Sequence, residues 1–317
     1  MTRVLITGGA GYIGAHVAHD LLTSGYEVRI FDDFSNGLER RIVGFEDIHR
    51  ADILDRSAVF NAMKGVDAVI HLVAKKAVGE SVTNPLKYYD NNVGGILNVL
   101  AAMSSHGVKR IVFSSTAAVY APNNKDSISE EDSTIPISPY GATKLLSEEI
   151  INVVGRAEHF SSISLRYFNV VGAGSDDLGD NSRDNLVPKV FQALEEGKSP
   201  EVFGDDYPTP DGTCIRDYIH VSDLSKSHIA ALRAIEESEL HEVYNVGSGT
   251  GYSVHEVINQ IEKTIGRSTH SKVVERRAGD TPKLIAGIEK ITKDLGWKPE
   301  KSLKEMIDSA WQAWNSK

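Results

Sequence analysis

Val4-Leu5-Ile6-Thr7-Gly8-Gly9-Ala10-Gly11-Tyr12-Ile13-Gly14 decides the fold of this chain. A short apolar run stops at a glycine cluster, and from Tyr12 onward apolar positions recur at helical spacing until about Gly25. The order is strand, tight turn, helix. Gly9, Gly11 and Gly14 satisfy G-x-G-x-x-G, and Gly8, Gly11 and Gly14 satisfy G-x-x-G-x-x-G. Glycines suit this place because the turn is tight and a side chain would hold a pyrophosphate away from the backbone amides. The helix must also pack close to its strand. A second strand over 27–31 runs into Asp32-Asp33, where a carboxylate binds adenosine ribose hydroxyls. Asp32 would repel a 2′-phosphate, so the dinucleotide expected is NAD; Arg40 and Arg41 are the contrary sign.

Further along the chain, strand-like runs recur at 68–73, 109–114 and 163–166, with helical stretches at 57–63, 84–105 and 138–154. Alternating strands and helices imply parallel pairing through right-handed crossovers. The fold class is therefore α/β, a doubly wound parallel sheet of the Rossmann type. After Arg166 the rhythm changes, with loop-like segments at 172–185 and 204–212. Helical patterns resume at 222–237, 254–265 and 303–314, with one more strand at 244–246. The expected division is a nucleotide-binding domain over 1–168, to which 217–247 returns, and a smaller C-terminal α/β substrate domain from 169–216 and 248–317.

Composition narrows the class. In 317 residues, 41% hydrophobic and 25% charged content is that of a globular protein, and a net charge of −10 disfavours nucleic acid or an anionic membrane as the main partner. The single cysteine, Cys214, cannot form an internal disulfide. No apolar run approaches a membrane span and no basic-then-apolar leader precedes Val4, so a cytoplasmic protein is expected. No metal site is expected.

Chemistry is concentrated in Ser138-Pro139-Tyr140-Gly141-Ala142-Thr143-Lys144. Ser138 can cap a helix that Pro139 begins, which sets Tyr140 and Lys144 one above the other on one face. An ammonium beside a phenol favours the phenolate and lowers its pKa, making a usable base. Ser114-Ser115-Thr116, ending the fifth strand, brings hydroxyls to the edge where ligands bind in such sheets, and Lys76 follows the fourth strand there. Asp52 and Ile53 could hold adenine, or Asp52 could cap a loop.

These pieces together resemble the extended short-chain dehydrogenase/reductase superfamily, and further blocks resemble its UDP-glucose 4-epimerase family. The blocks are His71-Leu72-Val73-Ala74 continuing to Ser81, Tyr88-Tyr89-Asp90-Asn91-Asn92-Val93, Arg166-Tyr167-Phe168-Asn169, Asp206-Tyr207-Pro208-Thr209, Asp211-Gly212-Thr213, Arg216-Asp217-Tyr218-Ile219-His220-Val221 and Arg276-Arg277-Ala278-Gly279-Asp280. The resemblance implies Tyr140 as base, Lys144 as its pKa-lowering partner and ribose ligand, and Thr116 as the catalytic hydroxyl. It implies that Gly8, Gly11, Tyr12, Ile13, Gly14, Asp32, Asn36, Asp52, Ile53, Leu72, Lys76, Asn91 and Tyr167 line NAD together with Tyr140 and Lys144. For a UDP-sugar it implies Asn169, Asn185, Leu186, Phe203, Arg216, Tyr218, Arg277 and Asp280, with Thr116 and Leu284 beside the sugar. Arg216 and Arg277 also make chemical sense as forks for a pyrophosphate.

The resemblance further implies interconversion of UDP-glucose and UDP-galactose through a 4-keto sugar, by a homodimer built on helices around 84–105 and 138–154. Asp184, Leu72 and Leu284 depart from the family pattern. Leu284 leaves room for a C2 N-acetyl group, which a tyrosine there would fill. The rivals are a nucleotide-sugar dehydratase or 4-keto reductase on the same fold, and a non-catalytic NAD sensor. A dehydratase carries Asp-Glu after the strand-end threonine, where this chain has Ala117 and Ala118.

Overall fold

The computed structural model describes residues 1–122, 125–182, 184–277 and 279–316, so Ala278 of the last block and Arg183 of the 172–185 segment lie outside the described residues. In order, the chain forms β1 (Arg3–Thr7), α1 (Tyr12–Thr23), β2 (Glu27–Asp32), β3 (Ile48–Arg50), α2 (Arg56–Ala62), β4 (Ala68–His71), α3 (Val78–Thr83), α4 (Pro85–Tyr88), α5 (Gly95–His106), β5 (Arg110–Thr116), α6 (Pro139–Glu158) and β6 (Ser161–Tyr167). It continues with β7 (Asn169–Val171), α7 (Leu186–Glu195), β8 (Glu201–Phe203), β9 (Ile215–His220), α8 (Val221–Glu237), β10 (His241–Val246), β11 (Gly251–Ser253), α9 (Val254–Ile265), β12 (Lys272–Val274), β13 (Lys283–Leu284), α10 (Glu289–Leu295) and α11 (Leu303–Asn315).

Among the described residues, seven strands make one parallel sheet in the order β10-β6-β5-β4-β1-β2-β3. Successive residues of β1 face opposite sides of it. Val4 and Ile6 join the core under α1 and α8, with Val17, Leu21, Leu224 and Leu232. Leu5 joins the core under α2 and α5, with Val59, Met63, Val99 and Met103. Burial on both faces explains why these strands read as continuous apolar runs. Chain order reverses between β1 and β4, and in such sheets ligands bind outside the carboxyl ends at that switch point.

The expected helix over 84–105 is broken. Between α4 and α5, Tyr89–Gly94 forms a π turn. Asn92 anchors it: its Oδ1 accepts the Lys75 N–H at 2.8 Å, and its Nδ2 donates to the Lys75 carbonyl and to Thr143 Oγ1. These partners lie on the segment after β4 and on α6, which local sequence spacing does not reveal.

A second sheet, whose strands the sequence pattern does not locate within the expected C-terminal α/β part, is organised by β9. β11 and β13 flank it, and β7 pairs with it as well. β8 and β12 make a separate two-stranded ribbon. Under β9 a third core gathers Phe191, Val257, Ile261, Met306 and Ile307 from α7, α9 and α11 against Tyr218 of β9.

Candidate active site

The parallel register brings the carboxyl ends of the sheet strands to one edge. Thr7 is level with Phe31 and His71, His71 with Phe113, and Thr116 with Tyr167. Against this edge lies the first half of α6. Ser138 Oγ accepts the Gly141 N–H at 3.2 Å with Pro139 at the first turn, so the helix begins where the sequence places it. Gly141 is obligatory, since a Cβ there would sit 2.3 Å from the Ala118 carbonyl oxygen.

Three α6 residues spaced one turn apart bond to three consecutive residues of β5. Tyr140 shares a hydrogen bond with Thr116. Lys144 Nζ donates to the Ser114 carbonyl at 2.7 Å and lies 4.7 Å over the Phe113 ring. Ser115 Oγ donates to Glu148. Tyr140, Lys144 and Glu148 are all buried.

Electrostatics correct one expectation. The spacing predicts that Lys144 lowers the Tyr140 pKa, whereas in the structure burial raises it, opposed by the Thr116 hydrogen bond. Lys144 turns its ammonium to the Ser114 carbonyl, and burial pushes its own pKa down to about 7, with Glu148 opposing.

The glycine turn is a cradle that a Cβ would fill. One added at Gly14 would lie 2.1 Å from the Gly8 carbonyl oxygen, and Gly8 itself has a φ of 78°. α1 starts at Gly11 with no side-chain cap and no acidic residue in its first turn, so its N-terminal amides and positive dipole end suit a phosphate. Asp32 is buried and accepts the Ala10 and Phe34 N–H groups at 2.9 and 2.8 Å. A carboxylate takes about four hydrogen bonds, so acceptor sites remain for ribose hydroxyls. Burial raises its pKa, and those two N–H groups work against the rise. A dinucleotide with free ribose hydroxyls fits these groups. Arg41, the contrary sign, is buried and donates to the Gly179 carbonyl and Asn181 Oδ1 at 2.7 and 2.8 Å.

Other predicted cofactor residues are placed unevenly. Tyr12 turns its hydroxyl to the Gly172 carbonyl, Ile13 follows it in α1, and Asn36 is exposed beside the loop that Gly37 closes over Asp32. Asp52 caps its own loop, accepting the Leu54 N–H at 2.9 Å, and Ile53 is buried against Gly95. Leu72 follows β4 at the edge, with its N–H on the Thr7 carbonyl, and Lys76 beyond it is exposed. Asn91 sits in the π turn and donates to Asn92. Tyr167 ends β6 beside Tyr140 and Ser114, its pKa raised by burial.

On the other side, β9 gathers the predicted sugar-nucleotide residues. Arg216 and Tyr218 share a face, Leu284 is in register with Arg216, and Asn169 with Tyr218. Tyr218 is buried, hydrogen-bonded with Asn169, and pushed up to about 12 by desolvation. Arg216 donates to Asp280 at 3.2 Å and to the Thr281 carbonyl at 2.7 Å. Arg277 is exposed and lies 3.7 Å over the Phe203 ring. Asn185 bonds to Asp180 at 2.7 Å just before α7, which Leu186 begins. Leu284 packs against the cluster formed by Ala117, Val119, Tyr120, Ile128, Phe168 and Ala286, the first of which follows Thr116.

Residues 4–247 match the NAD dependent epimerase/dehydratase family. The chain belongs to that family. Among its relatives, the UDP-glucose 4-epimerase of Bacillus subtilis (strain 168) is 42% identical, covering 99% of this chain and 96% of that protein. A crystal structure of UDP-glucose-4-epimerase from Stenotrophomonas maltophila with bound NAD and formylated UDP-arabinopyranose matches with a TM-score of 0.95 at 37% identity, covering 100% and 98% of the two chains. The UDP-Glc/GlcNAc 4-epimerase of Campylobacter jejuni matches with a TM-score of 0.87 at 38% identity, covering 99% of each chain.

In this family member, sequence reasoning misses three groups at the site. Glu148 and Asn92 are buried polar side chains whose partners lie on other elements. Lys189 on α7 has its pKa lowered by burial and by the charge of Arg277, which marks a cation-rich patch. A polar residue at a helix core position, as at Glu148, is the signal that could have found the first.

Proposed function

We infer that this chain is an NAD-dependent UDP-glucose 4-epimerase that interconverts UDP-glucose and UDP-galactose through a 4-keto sugar. The observation that carries the reading is the pairing of Tyr140 and Lys144 with Thr116 and Ser114, across from the arginine-bearing second sheet.

NAD, when bound, would supply an acceptor for the hydride on C4 of the sugar. Gly8, Gly11 and Gly14 with the first turn of α1 would hold its pyrophosphate, and Asp32 its adenosine ribose. Tyr140 takes the proton of the sugar 4-hydroxyl, directly or through Thr116, and gives it back after the keto sugar has turned over. Burial raises the Tyr140 pKa, which makes its phenolate a strong base, and the Thr116 hydroxyl offsets part of the cost of forming it. Arg216 and Arg277 bind the UDP pyrophosphate, Arg216 exchanging Asp280 for phosphate oxygens. Tyr218, Asn169, Asn185, Leu186 and Phe203 position the nucleotide. The segment after Thr116 is an alanine-rich 3₁₀ turn, Ala117–Val119, with no carboxylate to expel water, which speaks against a dehydratase.

The proposed division of labour assigns 1–168 and 221–247 to NAD, and 169–220 and 248–317 to the UDP-sugar; the expected return at 217 moves to 221 because β9 lies whole in the second sheet. The assembly is a homodimer through α5 and α6, whose outer faces carry the exposed Leu97, Leu146 and Val153 beside Leu86; sedimentation of the purified protein tests it. Among the described residues no helix is long and apolar enough to cross a membrane, and a cytoplasmic enzyme is proposed. Leu284 supports a second specificity, for the N-acetylated sugar pair, because it is smaller than a tyrosine beside the Thr116 segment.

Purified protein given UDP-galactose without added cofactor should form UDP-glucose, and denaturation should release NAD in excess of NADP. Absence of turnover with NAD bound would leave the sensor reading, and a predominance of NADP would show that Asp32 does not select the cofactor.

A further inference from the structure

Behind Tyr140 and Lys144 lies a buried ion pair that the reaction as described does not use. Glu148, one turn beyond Lys144, accepts Arg166 Nη2 at 2.6 Å and Nε at 3.0 Å. Its side chain is 6% exposed and that of Arg166 7%. Arg166 Nη1 donates to the Tyr120 hydroxyl at 3.1 Å, which donates to Asn245 Oδ1 at 2.6 Å. Asn245 Nδ2 donates to the Ile128 carbonyl at 2.8 Å. The same carbonyl accepts the Gly287 N–H at 2.7 Å, and the Ile128 N–H donates to the Ile285 carbonyl at 2.8 Å, next to Leu284.

Glu148 therefore holds three things at once. Through Ser115 it holds the β5 residue that follows the acceptor of Lys144 and precedes Thr116. Through Arg166 it ties α6 to β6, one residue before Tyr167. Through the Arg166 chain it reaches β10 and the segment after β13. Such a pair is an expensive way to stabilise a core, because desolvating two charges offsets most of their attraction and apolar residues of similar volume often do as well. A fixed geometry and a fixed charge next to Lys144 are what apolar residues could not provide.

We propose that Glu148, with Arg166, is a positioning residue for the epimerisation: it keeps the Ser114–Thr116 strand end and α6 in register and places a permanent negative charge one turn from Lys144. The proposal rests on the function inferred above. The titratable and charged groups around Lys144 are His71 from β4, Tyr140 and Glu148 on its own helix, Arg166 and Tyr167 from β6, and His228 on α8, which bonds Ser114 Oγ at 2.8 Å. Burial keeps His71 and His228 neutral, with pKa values of about 3 and 4, so Glu148 is the anion of the set. Removing its charge makes charged Lys144 less stable, and activity that needs the ammonium is then lost at lower pH.

Three variants separate positioning from bulk stability. Glu148→Gln keeps the shape but leaves Arg166 unpaired. Glu148→Gln with Arg166→Gln removes both charges, so no buried charge is left alone. Ser115→Ala cuts the link to the strand end without touching any charge. Wild-type turnover of UDP-galactose is measured first, since its absence sinks the functional reading and not this proposal. The double variant should fold and retain NAD, yet lose roughly tenfold in kcat with KM changed less than about threefold, as displaced catalytic groups do. The alkaline limb of the kcat–pH profile should move down by about one unit in Glu148→Gln, which removes one neighbouring charge, and by less in the double variant, which removes two opposite ones. Ser115→Ala should lower kcat several-fold with the alkaline limb unmoved. A folded double variant with wild-type kcat and profile overturns the proposal. If neither glutamine variant folds, wild-type kcat in Ser115→Ala overturns it.

Discussion

The end of β5 against α6 and the loops around β8 and β9 hold their side chains in opposite ways. On the first side Tyr140, Lys144 and Glu148 are buried and each has a partner one strand away. On the second, Arg277 is exposed on the Phe203 ring, Arg276 lies over Tyr207 and pairs with Asp206, and Arg216 meets Asp280 at 3.2 Å. Partly exposed pairs of the second kind are worth about 0–1 kcal/mol, whereas unpairing a buried one costs about 3–5 kcal/mol. Only the second side can therefore rearrange cheaply. On the proposed function, proton and hydride transfer need groups fixed to a fraction of an ångström, which the first side supplies. Pyrophosphate capture needs cations whose present partners can be given up, which the second side supplies.

The contrast is sharpest at Tyr140. Tyr140→Phe keeps the packing and removes the proton acceptor, so kcat should fall roughly 10²-fold or more, read as product formed from UDP-galactose. Near-wild-type turnover would remove Tyr140 from the mechanism. Next comes the loose side. Arg277→Ala should lower kcat/KM by about ten- to a hundredfold, the loss of hydrogen bonds to a charged group worth about 1.5–3 kcal/mol. Its urea midpoint should barely move, since a surface substitution usually stays within about 0.5 kcal/mol. Marked destabilisation would show that this loop is held as firmly as α6.

Leu284 sits where the two regions meet, on β13 but packed against the cluster that includes Ala117. Leu284→Tyr should lower the kcat/KM ratio of N-acetylated to plain UDP-sugars by roughly fivefold, an overpacking effect of about 1 kcal/mol. An unchanged ratio would mean this residue is not the gate, and wild-type protein without N-acetyl activity would end the second specificity.

A further effect concerns pH and the buried side. His16, His71 and His228 are held neutral by burial, with pKa values of about 4, 3 and 4 against about 6.5 unfolded. Between those values the unfolded chain binds more protons, so their contribution is fully present above about pH 6.5 and is lost as pH falls toward 4. Asp217, pushed up to about 6 by burial, works the other way over pH 4–6 and offsets part of the loss. The urea midpoint should thus decline from pH 7.5 to 5, and less in His228→Gln than in wild type. A flat profile would mean that these histidines are not the acid-labile part of the core.

Much of this was legible in the chain itself. The glycine turn, Asp32 and the start of α6 at Ser138-Pro139 depend on neighbours a few residues away, and the structure places them where spacing predicts. Other parts were not. The break at Tyr89–Gly94 is held by Asn92 bonding to Thr143, 51 positions on; Gly94-Gly95 hints at an interruption, but that partner cannot be read from within 84–105. β9 went unread because its residues, with Arg216-Asp217 adjacent and then Tyr218-Ile219, follow no strand period and acquire meaning only when β7, β11 and β13 pair with it.

Local sequence alone specified the strand-turn-helix unit, the acid that ends β2, and the helical pairing of tyrosine with lysine. Each follows from local backbone geometry, in which a residue's partner is set by its distance along the chain. The direction of the Tyr140 and Lys144 shifts came from the tertiary structure, because burial and not spacing sets them. So did the meeting of Glu148 with Ser115 and Arg166, and that of Tyr120 with Asn245, 125 positions away. Charges and hydrogen bonds act through space, and their strength depends on how much water the fold excludes around them.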